Sequence, residues 1–446
     1  MDGGPGLLGF VFTFSVCPLC PALLGSLILI LSQTLTTHTL LPSVGYANKY
    51  NAWLFSALLN VFNSTLGLEA LPGVAHAARF PLYMSGASAV TAANASLTWD
   101  WADSHSAPLW QPFMSLWGTA FNERAAAFFS RAVSKAVSPS FLRSTSAWGG
   151  FVESTAFFDA RGTSADVEAL PTAALYDCVQ LGVFRSPWLA ARQHYLGFKG
   201  GDSRWNHAHL DLGSFVFDLD GQRFAEDMGG DSYELPGYFG PQRWGYYRLN
   251  SLGHNVPIFG NESQVPAPAN ITAFSAVPQS LAGLQVDGWG IVDITQGYGG
   301  RGGAGQPVAV RRGFVSFNDS SALVIVDEYS GVKTNVSFQL HTRAAASLSG
   351  TSAALSLSGV SAQLAVLPLS TNCSALMPWV AVELAPLLPS PPFDSAAGFR
   401  RLQAVAPPPG APCTRVAVAL GDPALVDALA SLQFKALEDW PAEGPL

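Results

Sequence analysis

Charge is what this sequence has least of. Asp, Glu, Lys and Arg make up only 12% of its 446 residues, about half the roughly 25% usual in soluble domains. With 49% of residues hydrophobic, a disordered chain and a charged coiled coil are both excluded. Lys plus Arg number 23 against 31 Asp plus Glu, for a net charge of −8. No basic run is present, which removes a nucleic-acid binder working by bulk positive field. Five cysteines are too few for a disulfide-built scaffold. Cys17 and Cys20 form one C-x-x-C inside an apolar run with no second pair, a weak basis for a zinc or redox motif. Cys373 and Cys413 both lie in the C-terminal β-rich part, and sequence alone does not give their separation. There is no G-x-x-x-x-G-K-[ST] phosphate loop and no G-x-S-x-G elbow. Gly297 to Gly302 matches G-x-G-x-x-G but leads into a strand-like run rather than a helix, so it reads as a loop.

Charge is missing altogether between Asp2 and Lys49. Within residues 1–40, Leu7 to Leu31 is nearly all apolar, long enough to span about 30 Å of hydrocarbon. Asp2 stands where a signal peptide carries basic residues, and Pro18 and Pro21 interrupt a simple spanning helix. An uncleaved signal anchor, an atypical signal peptide and a misplaced gene start remain open. The asparagines say more about compartment. Of 14, seven open an N-x-[ST] sequon: Asn63, Asn94, Asn261, Asn270, Asn318, Asn335 and Asn372. Chance at this Ser and Thr content predicts roughly two. The excess points to a secretory-route glycoprotein, secreted or membrane-anchored through the N-terminal segment.

Two periodicities divide the rest. Residues 50–67 carry apolar residues at helical spacing and end at Gly67, a candidate C-cap. Residues 108–136 predict one or two helices packed through Trp110, Phe113, Leu116, Trp117 and Phe121, and 148–159 is a further aromatic-rich stretch. Residues 41–165 are therefore expected to be mainly helical. From Leu175 onward, β-prone runs of about six to nine residues alternate with Gly, Asp and Asn, which predicts an antiparallel sandwich over 166–446. Leu212 to Asp218 has the alternation of a half-buried strand, and Asp220-Gly221 is a hairpin turn. Residues 422–440 regain a helical period after an Asp-Pro start.

One region concentrates chemistry. It contains Lys199, Asn206-His207-Ala208-His209-Leu210-Asp211, Glu226-Asp227, Arg243, Tyr246-Tyr247-Arg248 and His254-Asn255. On a strand, His207, His209 and Asp211 share one face, and a sandwich core tolerates two imidazoles there at low cost only if they bind something. With Asp227 and His254 from neighbouring strands, a His-Asp-His metal site is stereochemically reasonable. The bland alternative is a set of solvated surface histidines.

The order of these elements (H-x-H-x-D, a strand pair, an acidic residue before Gly, then H-N about 27 residues on) resembles the heparinase II/III-like family of polysaccharide lyases. The resemblance covers about residues 45–340 and is densest over 176–260. It implies an (α/α) toroid, partial here, joined to an antiparallel β-sandwich; the helical part is about 120 residues against several hundred in the family. It also implies that His209, Asp227 and His254 hold a structural zinc and that His207 faces the cleft in catalysis. Tyr46, in the segment Gly45 to Asn51, matches the toroid's catalytic tyrosine, while no match to the family's upstream Asn/His segment is found in residues 1–44.

The expected chemistry is β-elimination on an acidic, uronate-containing polysaccharide. The proton at C5 becomes removable once donors neutralise the neighbouring carboxylate. A histidine or tyrosine is then the base, and a tyrosine returns the proton to the leaving oxygen. Tyr247 is a further catalytic candidate; Asn206, Lys199, Arg243 and Arg248 are candidates for binding substrate carboxylates or sulfates. Tyr246 and His105 are further cleft candidates, whereas His38, His76, His194 and His341 read as structural or solvated. Two alternatives stand beside a lyase: a uronate C5-epimerase, which begins with the same proton abstraction, and an inactive, zinc-stabilised carbohydrate-binding protein. Neither the polymer nor the oligomeric state is legible.

Overall fold

The computed structural model describes residues 41–86, 98–104, 113–136, 158–281, 283–299, 309–332, 334–367, 380–383, 398–406 and 415–446. The N-terminal apolar segment, Cys17, Cys20, Cys373, Cys413, Asn94, Asn372, His38, His105 and Trp110 lie outside them. Among the described residues no helix is long and apolar enough to cross a membrane.

The described residues before 173 include the helices Leu41–Phe62, Arg79–Tyr83, Phe113–Phe121, Arg124–Ala136 and Ser164–Glu168. Aromatic residues hold them together. Trp117 meets Phe55, Phe113 and Phe121 edge-on at centroid distances of 5.7, 5.4 and 5.4 Å, and its indole donates to Val74 O. The first helix stops at Phe62, short of the expected Gly67. Asn63 takes the left-handed conformation (φ 50°) and donates its N–H to Leu59 O, closing the last turn. Gly67 instead precedes a short 3₁₀ turn.

The remainder is built from antiparallel sheets. Strands Ala173–Tyr176, Leu181–Arg185, Tyr195–Lys199, Phe215–Leu219 and Gln222–Ala225 lie in that order in a five-stranded sheet. The Asp220-Gly221 turn has positive φ at both residues, as a two-residue hairpin requires. A second sheet has ten strands, with Leu284–Asp293, Ala309–Phe317, Ala322–Ser330 and Arg415–Gly421 at its centre. A third has four, centred on Val336–Thr342 and Arg400–Ala406.

Alternate residues of these strands enter different cores. Phe184, Leu196, Phe198, Phe215 and Phe217 face Phe314, Ile325, Phe338 and Val418 between the sheets. Leu181, Val183, Tyr195 and Val216 point the other way, into the helices. Phe215–Leu219 is consequently buried on both faces, not on one as its alternation suggests. On the far side of the ten-stranded sheet, Val315, Val324 and Val326 pack under the C-terminal segment. There the expected helical tail is two short helices, Pro423–Leu429 and Trp440–Glu443; Asp422 caps the first by accepting from Ala424 N.

The H-x-H-x-D run is not a strand. Residues 203–214 form an irregular loop between Gly201–Asp202 and Phe215–Leu219, with His207 at φ 65° and Gly213 at φ 82°. Asp227 follows the strand Gln222–Ala225 and His254 follows the 3₁₀ turn Ser251–Gly253, so neither lies on a strand. Carboxylates and imidazoles that must meet from several directions cannot all be presented by a period-two ladder.

Candidate active site

Four irregular segments converge, and backbone contacts lock them together. Asp103 N donates to His207 O, Gly230 N to Ser104 O, and Leu210 N to Leu249 O. At Gly229 (φ 64°) an added Cβ would lie 2.1 Å from Ser104 O, so only glycine allows residues 101–104 to come this close. Arg223, paired with Asp218, reaches Thr98 O at 2.6 Å and ties the same segment to the five-stranded sheet.

The loop sends its two histidines in different directions. His209 is fully buried, whereas His207 is 27% exposed. His207 Nδ1 lies 2.9 Å from Asp103 Oδ2 and 3.3 Å from the Tyr233 hydroxyl. Phe239 and Tyr233, 57% and 52% exposed, meet the His207 ring at centroid distances of 5.4 and 6.2 Å. Asn206 beside it is exposed. This is a water-accessible imidazole framed by aromatic rings, which can exchange a proton with something bound over it.

Behind it, one ligand atom from each of His209, Asp211 and His254 lies within 4.8 Å of the others. His209 Nδ1, Asp211 Oδ2 and His254 Nε2 are buried without a hydrogen-bond partner. Three such orphaned acceptors or donors are costly together, and a cation would satisfy them all. The chemistry of two imidazoles and a carboxylate suits zinc. Each group is braced from its other side. His209 Nε2 meets Asp103 Oδ1 at 3.0 Å, Lys199 Nζ donates to Asp211 Oδ1 at 2.6 Å, and His254 Nδ1 meets Asp227 Oδ2 at 3.2 Å. The resemblance placed Asp227 among the ligands; the carboxylate that faces both imidazoles here is Asp211, with Asp227 against the remote nitrogen of His254. Asp227 is held below the usual carboxylate range, to about 2: burial pushes it up, but the charge and hydrogen bond of His254 outweigh that.

Three residues expected to bind substrate lie inside the protein. Lys199, Arg243 and Arg248 are buried and engaged within the protein. Lys199 pairs with Asp211 and sits over the Trp101 ring. Arg243 donates to Asp103 and to Ala208 O, and Arg248 to Met228 O and Gly230 O. Their cations are spent bracing loops in a low-dielectric interior. Tyr247 is half-buried, its hydroxyl 3.0 Å from His341 Nε2, and burial pushes it up to about 12. Tyr246 donates to Pro236 O. Tyr46 falls within the helix Leu41–Phe62, and its side chain is outside the described residues. The residue missed was Asp103, 104 positions before His207. Its sequence signal was the run Trp101-Ala102-Asp103-Ser104, which drew notice only for His105.

Residues 182–377 match the heparinase II/III-like, C-terminal family model. Over these residues the chain is similar to the C-terminal domain of that family. Among solved structures it is similar to heparinase III (TM-score 0.59, 14% identity, 85% of this chain and 52% of that one). It is also similar to the heparinase III BT4657 gene product (TM-score 0.55, 14% identity, 87% of this chain and 52% of that one). At such identity the likeness is one of fold. The chain spans about half the length of these structures, and no curated protein matches it by sequence.

Proposed function

We propose that the protein is a polysaccharide lyase that cleaves uronate-containing polymers by β-elimination, with His207 as the residue at the reacting sugar. The observation that carries this reading is a partly exposed imidazole, flanked by Tyr233 and Phe239, within the residues that match the heparinase II/III-like, C-terminal model. In this reading the neutral His207 takes the C5 proton, the electron pair forms the C4–C5 double bond, and the 4-linked oxygen leaves with its bonding pair. Asn206 donates to the substrate carboxylate, and Tyr46 supplies the proton to the leaving oxygen. In this reading the described residues of 41–165 belong to a partial (α/α) toroid and those of 166–446 to a β-sandwich domain. His209 and His254, with Asp211 from the geometry or Asp227 from the resemblance, hold a structural zinc. Bound zinc would cross-link the loops that carry these buried groups.

A second reading, binding of an acidic polysaccharide without turnover, draws on one observation: the Tyr247 hydroxyl is already engaged by His341 Nε2 at 3.0 Å. The secretory route is supported by the sequons. The experiment is to incubate purified protein with a panel of uronate polymers and follow the ultraviolet absorbance of the new double bond. A rise abolished by His207→Ala supports the lyase. Solvent deuterium at C5 without absorbance identifies an epimerase, and affinity without either change identifies the binding protein.

A further inference from the structure

The Asp103 carboxylate is 4% exposed and divides its two oxygens unequally. Oδ1 faces three groups: Arg243 Nη2 at 2.8 Å, the Tyr238 hydroxyl at 2.5 Å and His209 Nε2 at 3.0 Å. Arg243 has no acceptor to offer. Tyr238 already accepts from Asp231 N at 3.2 Å, so its proton points to Asp103. Oδ2 faces His207 Nδ1 at 2.9 Å. An ionised carboxylate only accepts, so the imidazole edge it faces must donate.

From this we infer that Asp103 is a positioning residue for His207: it fixes the tautomer with the proton on Nδ1 and leaves the Nε2 lone pair free on the opposite edge of the ring. Among the described residues both hydrogen-bond contacts of the ring are at Nδ1. The backbone reinforces the side chain. Asp103 N holds His207 O at 3.2 Å, and His207 is kept at φ 65°, a left-handed conformation that a histidine rarely adopts unaided. A carboxylate from the helical part thus orients the partly exposed imidazole of the sheet part, and its other oxygen braces His209. Its catalytic consequence rests on the lyase reading above; the tautomer itself does not.

Asp103→Asn makes the test sharp. The three groups at Oδ1 demand an oxygen there, so the new amide nitrogen must face His207 Nδ1. Nδ1 then has to accept, and the ring proton moves to Nε2. The experiment is nitrogen–proton correlation spectroscopy of protein labelled with ¹⁵N-histidine, at about pH 8 where an ordinary imidazole is neutral, with His207 assigned through His207→Ala. Wild-type His207 is expected as the Nδ1–H tautomer, and Asp103→Asn as the Nε2–H tautomer with His209 unchanged. A wild-type His207 protonated on Nε2 overturns the inference even if the variant does not fold. So does an Asp103→Asn spectrum in which His207 keeps its proton on Nδ1. Where a polymer is turned over, Asp103→Asn lowers kcat by about 10²- to 10⁴-fold with KM nearly unchanged. If no polymer is cleaved, the lyase reading fails while the spectra still decide the tautomer.

Discussion

Two histidines separated by one residue do opposite work because their side chains meet different surroundings. His209 is fully buried among Asp103, Asp211 and His254, whereas His207 keeps an edge toward water. Loss of a buried ligand should therefore remove metal and stability together. His209→Ala and His254→Ala are expected to abolish bound zinc, measured by atomic emission, and to cost about 3–5 kcal/mol in denaturant unfolding. His207→Ala should leave zinc content and stability near wild type; zinc release by that variant would refute the division of labour. Asp211→Asn and Asp227→Asn compare the two candidate carboxylates. The geometry predicts the larger loss of zinc for Asp211→Asn, since Asp227 faces the far nitrogen of His254 and Gly229 N rather than the three clustered ligand atoms.

Between the elements, a few buried groups carry the site's geometry. Arg312 is fully buried on a central strand of the ten-stranded sheet and pairs with Asp327 through two bonds of 2.6 and 2.8 Å. It also donates to Gly213 O and Asn255 O, the ends of the two histidine-bearing loops. Arg312→Met should cost about 3–5 kcal/mol by leaving Asp327 buried and unpaired, read as a lowered urea midpoint. Gly229→Ala should cost about 2–4 kcal/mol through its left-handed φ and the clash with Ser104 O. Some elements were legible in the sequence: the Asp220-Gly221 hairpin, the paired helices around Trp117 and the capped start at Asp422. The H-x-H-x-D strand was not, because period-two spacing in three residues cannot be told from a loop whose turns are set by distant contacts.

At the scale of the molecule, the exposed sequons make a prediction about compartment. Asn63, Asn261, Asn270 and Asn335 are exposed, whereas Asn318 is half-buried with Oδ1 accepting from Gln285 N at 2.8 Å. In protein made through a eukaryotic secretory route, glycosidase release followed by mass spectrometry should find glycans on the first four and none on Asn318. An aglycosylated product would remove the main support for that route. Composition, the change of period near residue 175 and the spaced His, Asp and Asn motif determined the helix-then-sheet order and the region of the site. These are local or compositional signals, readable along one chain. Which carboxylate faces the imidazoles, which cations are spent inside and which residue holds His207 were decided only by tertiary structure. Asp103 and His207 lie 104 residues apart, and Lys199 and Arg243 look like any surface cation until folding removes them from water. Burial, not residue type, assigns them their roles.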